Sequence, residues 1–363
     1  MFKKNEKQKI QEIKNVLENM SYSIPKYNKS SFTSSASPFI SASSTSQKNQ
    51  IISRYDFFFE NEMETQRKIK EINKYDKKYL VYETFSLLKI GEFRRHQHHL
   101  ENYQDLTNEM NLPISYVVVT YPLLTFHKEW NHFFSPFINN FFTSSFIQRT
   151  FFHYFFSSYY HLANSFRLLN ENGMYPFRLR EEMIYFNKEN TPLLSVPLTF
   201  HRSQDTTTKE LLVFIGHLKK EDFFFLPIDF YILFFLEREK KEVLVKEDVQ
   251  FILEFVEKNA QIYLYHTNLQ EEICFYENKS RKEIAKDCLE NTLQNINNYQ
   301  LCLLYLKQLD KIIGKPFLKD EMNIYKYPFI KKVEAIFKEV ICSTNQKREK
   351  IQDTKEKIEG LFL

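Results

Sequence analysis

The sequence predicts an α+β protein with most of its mass in helices. Three observations carry that prediction. Two β-branched, aromatic stretches (79–90 and 114–124) follow a charged helical segment (55–73). Long aromatic runs at helical spacing then dominate 126–170, 222–258, 284–310 and 328–361. Among them, two short apolar segments, 183–186 and 192–198, flank an Asn/Lys-rich turn and read as a hairpin.

Composition sets the outer bounds. Of 363 residues, 43% are hydrophobic and 17% aromatic, enough for a substantial core. Abundant Asn, Lys, Ile and Phe with scarce Gly suggest an AT-rich source, so part of the Phe excess reflects codon usage. Fifty basic and 46 acidic residues are well mixed, and a formal charge of +4 gives no signal for nucleic acid. The four cysteines lie far apart with no C-x-x-C pair, which suits reduced thiols and the cytoplasm. The opening MFKKNEKQKIQEIKN lacks the apolar run of a signal peptide. The longest apolar run, 223–236, is broken by Pro227 and Asp229 and is shorter than the ~20 residues of a spanning helix. A soluble cytoplasmic protein without a transmembrane segment is expected.

In chain order, residues 1–20 read as an amphipathic helix with Ile10, Ile13, Val16 and Leu17 at helical spacing. Residues 28–47 are Ser/Thr-rich and read as flexible. Residues 1–50 are therefore set apart from a folded domain at 51–363. The 55–73 helix carries acids first and bases last, which complements its dipole. His96, His98 and His99 have no carboxylate or Cys at ligand spacing, so a solvated basic turn is expected and no metal. The 126–170 aromatics read as core helices that stop at Asn170–Gly173. HRSQDTTTKE reads as a polar loop whose Thr206–Thr208 offer modifiable hydroxyls, and LLVFIGHL after it reads as a strand. Residues 222–258 read as helix, charged turn, helix, and two helical stretches, 284–310 and 328–361, close the chain.

One stretch carries a resemblance. ENGMYPFRLREEMIYFNKENTPLLSVPLTF, residues 171–200, resembles the catalytic loop of protein kinases running into their metal-binding segment. Pro176 takes the slot of the family's His, Arg178 that of the catalytic Asp, and Met183 that of the metal-binding Asn. Thirteen residues on, Val196 takes the slot of the DFG Asp. LPIDFYILFFL and NNYQLCLLYLKQL are similar to segments of the Ser/Thr protein kinases of large DNA viruses, although the Trp and Asp usual before the second are absent. From about Tyr55 to Leu361 the resemblance implies a bilobal kinase-like fold. It has a small β-rich lobe with one helix (about 51–122), a larger mainly helical lobe (about 123–363) and a cleft between them. It further implies Lys48, Glu62 and Tyr121 as ATP-binding candidates, and structural roles for Asp229 and Arg348. The pattern departs from the family in having no A-P-E and no G-x-G: the chain has five glycines, none close enough to cradle a phosphate.

Chemistry decides what this loop can do. Phosphoryl transfer needs an Asp to take the hydroxyl proton, and an Asn and an Asp to hold magnesium. Arg178 cannot lose its proton, and Met183 and Val196 offer a hard cation no oxygen. The resemblance thus implies a pseudokinase without cofactor, acting through a protein partner such as an active kinase or its substrate. An alternative is a divergent active kinase using ATP and Mg, with Glu181 or Glu182 as displaced carboxylates. Both acids also read as solvated loop residues. A third reading is a structural or assembly protein without nucleotide binding.

Overall fold

Aromatic residues at helical spacing, packed as core, and strands of two to eight residues shape the described residues. The computed structural model describes residues 48–54, 57–74, 78–79, 84–89, 115–122, 128–196, 198–218, 220–259, 269–314, 328–342 and 350–361. The expected N-terminal helix, the Ser-rich segment, the histidine cluster and Arg348 lie outside these residues. The chain divides into two units, residues 1–71 with 80–126, and residues 72–79 with 127–363.

The smaller unit holds three strands and a helix among its described residues. Strands β1 (Lys48–Arg54), β2 (Thr84–Lys89) and β3 (Ser115–Pro122) form an antiparallel sheet in the order β1-β3-β2. β3 runs down the middle, with Ile51 opposite Val119 and Phe85 opposite the same residue on the other side. Helix α1 (Phe57–Ile72) follows β1. Its Thr65, Gln66 and Ile69 are buried, while Arg67 and Glu64 pair in solvent at 2.7 Å.

The larger unit is built on helices. They are α2 (Trp130–Asn139), α3 (Ser145–Glu171), α4 (Thr208–Gly216), α5 (Ile228–Arg238), α6 (Lys246–Asn259), α7 (Leu269–Phe275), α8 (Arg281–Asp287), α9 (Leu293–Ile313), α10 (Pro328–Cys342) and α11 (Ile351–Glu359). A π-helical turn, Cys288–Thr292, joins α8 to α9. Its strands are only two or three residues long. β4 (Lys128–Glu129), β6 (Ile184–Phe186) and β7 (Pro192–Leu194) form one sheet, and β5 (Met174–Pro176) pairs with β8 (Thr199–His201). The predicted hairpin is β6–β7, with Tyr185 opposite Leu193. The Asn187 side chain accepts from the amides of Glu189 and Thr191, and Asn190 takes the left-handed conformation that Asn tolerates.

Two predictions are corrected. The first is the bilobal kinase-like fold with a β-rich small lobe. Helices hold most of the described residues, and no sheet among them exceeds three strands. The resemblance rested on the order and spacing of elements, and those do not supply strand length. In the larger unit, Pro176 and Pro192 donate no amide to a ladder, and β5 and β7 are three residues each. The second is LLVFIGHL, which is not a strand but most of α4. Thr207 accepts from the Glu210 amide while the Glu210 carboxylate accepts from the Thr207 amide at 2.7 Å, a reciprocal cap that starts the helix.

The core of the larger unit lies around α9, which is buried on all sides from Ile296 to Leu306. α3 presents Phe151, Phe155, Tyr159, Leu162, Phe166 and Leu169 to it and to its neighbours. Tyr305 receives the rings of Trp130, Phe155 and Tyr159 edge-on at 4.8–5.2 Å, and its hydroxyl bonds Ser158 at 2.7 Å. Lys78 and Tyr79 join this unit through a 3.0 Å hydrogen bond from the Leu194 amide to the Lys78 carbonyl and a 2.5 Å bond from the Tyr79 hydroxyl to the Ser165 carbonyl.

The reciprocal cap makes a quantitative claim. Thr207→Ala is expected to lower stability by about 0.5–2 kcal/mol in denaturant titration; a change indistinguishable from zero would mean that α4 is held by packing alone.

Candidate functional site

The chain from 171 to 201 was singled out by its sequence, and its geometry starts at a glycine. Gly173 has φ +67, and a Cβ there would stand 2.2 Å from the Arg202 carbonyl. Arg202 in turn donates its amide to Gly173 at 2.7 Å, so this close approach closes the β5–β8 pair. β5 delivers Pro176, which is buried opposite Thr199.

Phe177 then plugs the loop into the core. It is fully buried, with Phe214 and Phe230 each 4.9 Å away. Its amide donates to Leu198 at 2.7 Å, and its carbonyl accepts from Gln300 of α9 at 3.2 Å.

Arg178 is clamped. Its Nε donates to Asp222 Oδ1 at 2.8 Å, and its Nη2 donates to the same oxygen. Asp222 is only 2% exposed, so Arg178 is the counter-charge that makes its burial tolerable. Truncating one member of such a buried pair costs about 3–5 kcal/mol.

Glu181 is buried and surrounded. Oε2 accepts from Asn131 at 2.6 Å; Oε1 accepts from Gln308 at 3.0 Å and from Lys311 at 3.1 Å; Lys307 stands at 3.7 Å. Burial pushes the Glu181 carboxyl up, but Lys307, Asn131 and Lys311 together outweigh it, and the group sits below the usual carboxylate range. The neighbouring Glu182 is exposed. Met183 is half-buried and accepts the Ser195 amide at 2.8 Å, which brings the 183 and 196 positions together; Val196 itself is buried. Tyr185, on β6, is pushed up to about 12 by burial and by Glu129 and Glu182.

Asp229 lies in the first turn of α5 and is buried. It accepts from the Tyr276 hydroxyl at 2.7 Å and from Thr292 of the π-turn at 3.3 Å. The same hydroxyl stands 2.8 Å from Asp287, and burial together with Asp229 pushes the Tyr276 phenol up. Asp229 thus ties α5 to the turn that follows α7 and to the π-turn.

The remaining candidates fall elsewhere. Lys48 pairs with Pro122 and Tyr121 with Asn49 through backbone, and their side chains lie outside the described residues. Glu62 is half-buried on α1 in the smaller unit. The residues that sequence reasoning missed are Asp222, Asn131, Gln300, Lys307, Gln308 and Lys311. Lys307, Gln308 and Lys311 share one face of α9 at helical spacing, which was legible. That they meet Glu181, 127 and 130 residues away for the last two, was not. Compared with protein-family models and with curated proteins, the chain matches none.

Chemically, Arg178 and Glu181 are occupied. Arg178 donates only and is never a base. A carboxylate offers about four lone-pair sites, and Glu181 spends its own on three donors and a second ammonium.

The lowered Glu181 carboxyl fixes the sign of a pH effect. It binds a proton less readily folded than unfolded, so its stabilisation is full above the unfolded value of about 4.3 and is lost as pH falls through the folded one. Glu181→Gln is expected to lower the unfolding free energy at pH 7 by about 1–3 kcal/mol in denaturant titration, and the gap to wild type is expected to shrink at pH 3. An equal gap at both values would show that the carboxylate's charge is not what holds the loop.

Proposed function

We propose that this protein acts by binding a protein partner and carries out no phosphoryl transfer. The observation that carries this reading is the occupation of the 176–183 loop. Arg178 stands where the resemblance puts a base and is bound to Asp222. Glu181, the carboxylate best placed to replace that base, is engaged by Asn131, Gln308 and Lys311. Of the two displaced carboxylates, this leaves the exposed Glu182. A single solvated acid supplies neither the metal pair nor the positioned base that the reaction requires. The proposal takes up the functional implication of the resemblance and not its fold.

A protein of this kind offers surfaces and rigid loops. No helix among the described residues is long and apolar enough to cross a membrane.

The test is direct. Purified full-length chain incubated with labelled ATP and magnesium or manganese is expected to transfer no phosphate to itself or to generic protein substrates. Glu182→Ala is expected to behave identically to wild type. Metal-dependent transfer that disappears in Glu182→Ala would overturn the proposal, because that exposed side chain has no structural part to lose.

A further inference from the structure

A trough of about 740 Å³ runs along α3. Its α3 wall descends from Ser145 through Arg149, Phe152 and Phe156 to Tyr160, positions three or four residues apart. That span is ~22 Å of helix, so the trough is long rather than round. The first turn of α10, Pro328–Ile330, supplies another wall. The floor is aromatic: Phe152 stacks on Phe156 at 5.9 Å and meets Phe329 edge-on at 5.1 Å. The volume falls within the roughly 300–1,000 Å³ of small-ligand sites.

Beside the neutral Ser145, Gln148, Ser157 and Tyr160, the one permanently charged lining residue is a cation. Arg149 is exposed, and its one side-chain contact among the described residues is a 3.5 Å bond to Ser145. His153, one turn on, also lines the trough and is exposed. Beyond the other end, Lys355 Nζ stands 5.6 Å over the Tyr160 ring. No described lining residue is acidic. Lys355 also bonds Asn164 at 3.3 Å, and Glu359 acts on Tyr160 at that end, so the lining's own full positive charge is Arg149's. An elongated apolar trough with a cation toward one end selects an elongated apolar ligand with a negative head.

We propose that this trough binds a free long-chain carboxylate, with the head group at Arg149 and His153 and the acyl chain along Phe152 and Phe156. The length of the lining along α3 favours a flexible chain over a compact ring system. The proposal stands independently of the reading of the 176–183 loop.

Calorimetric titration of the full chain tests it, with decanoate and laurate held below their micellar concentrations. One saturable site is expected, with affinity rising several-fold per added methylene. Laurate is expected to bind at least tenfold more tightly than dodecyltrimethylammonium. Arg149→Glu is expected to weaken laurate at least tenfold with an unchanged unfolding midpoint. Should that variant be unstable, Arg149→Gln reads the same interaction. Absence of saturable binding, equal affinity for the cationic amphiphile, or an Arg149 variant that binds as wild type would overturn the proposal. So would binding confined to phosphatidylserine vesicles, since that would make the face a lipid-surface contact.

Discussion

A helix buried on every face cannot leave its polar side chains to water, and the larger unit is arranged around meeting that demand. α9 carries Asn297, Asn298, Gln300 and Gln308, all essentially unexposed. Each reaches a different part of the unit: Asn297 bonds Asn170 at the end of α3, and Asn298 bonds Thr354 of α11. Gln300 holds the Phe177 carbonyl, and Gln308 holds Glu181. An amide left wholly unpaired in such a place costs about 1–3 kcal/mol, so the four donor contacts bias where the surrounding segments lie, while Asn297 Oδ1 and Gln300 Oε1 accept from no group among the described residues. The aromatic packing around Tyr305 supplies burial without direction; the amides supply register.

The loop at 176–183 inherits its rigidity from this arrangement. It is fastened at Phe177 and Glu181 to α9, and at Arg178 to Asp222. These fasteners consume the same side chains that a reaction would need free. Activity at a site depends on groups whose protonation and position can change in the transition state. Charges held in pairs in a poorly solvated setting resist both changes. On the proposed reading, structural anchoring and the lack of phosphoryl transfer are two descriptions of one set of contacts.

Much of the local structure was legible in the sequence. Asn187 and Asn190 mark the hairpin turn, and the spacing Phe151, Phe155, Tyr159, Leu162 and Phe166 marks the core face of α3. α4 was misread because LLVFIG is apolar without clear period, although Thr207 and Glu210 three residues apart were its starting signal. The fold class was misread for a different reason. Order and spacing survive in many arrangements of helices and short strands, and they do not determine how many strands pair. At the site, Arg178 and Glu181 were visible but their partners were not, since Asp222, Asn131 and Lys311 come together only in three dimensions. Glu181 and Glu182, adjacent and chemically identical, met opposite fates: one buried among three donors and a nearby ammonium, the other in solvent.

The most direct measurement is native-state hydrogen exchange across residues 174–201, with and without Mg-ATP. The account predicts slow exchange of the Phe177, Met183 and Ser195 amides, comparable to the buried amides of α9, and no change on adding nucleotide. These amides donate to Leu198, Arg180 and Met183 in a segment anchored at both ends. Rapid exchange at Phe177 and Met183, or protection that appears only with Mg-ATP, would contradict it, because the loop would then be free to rearrange around a substrate.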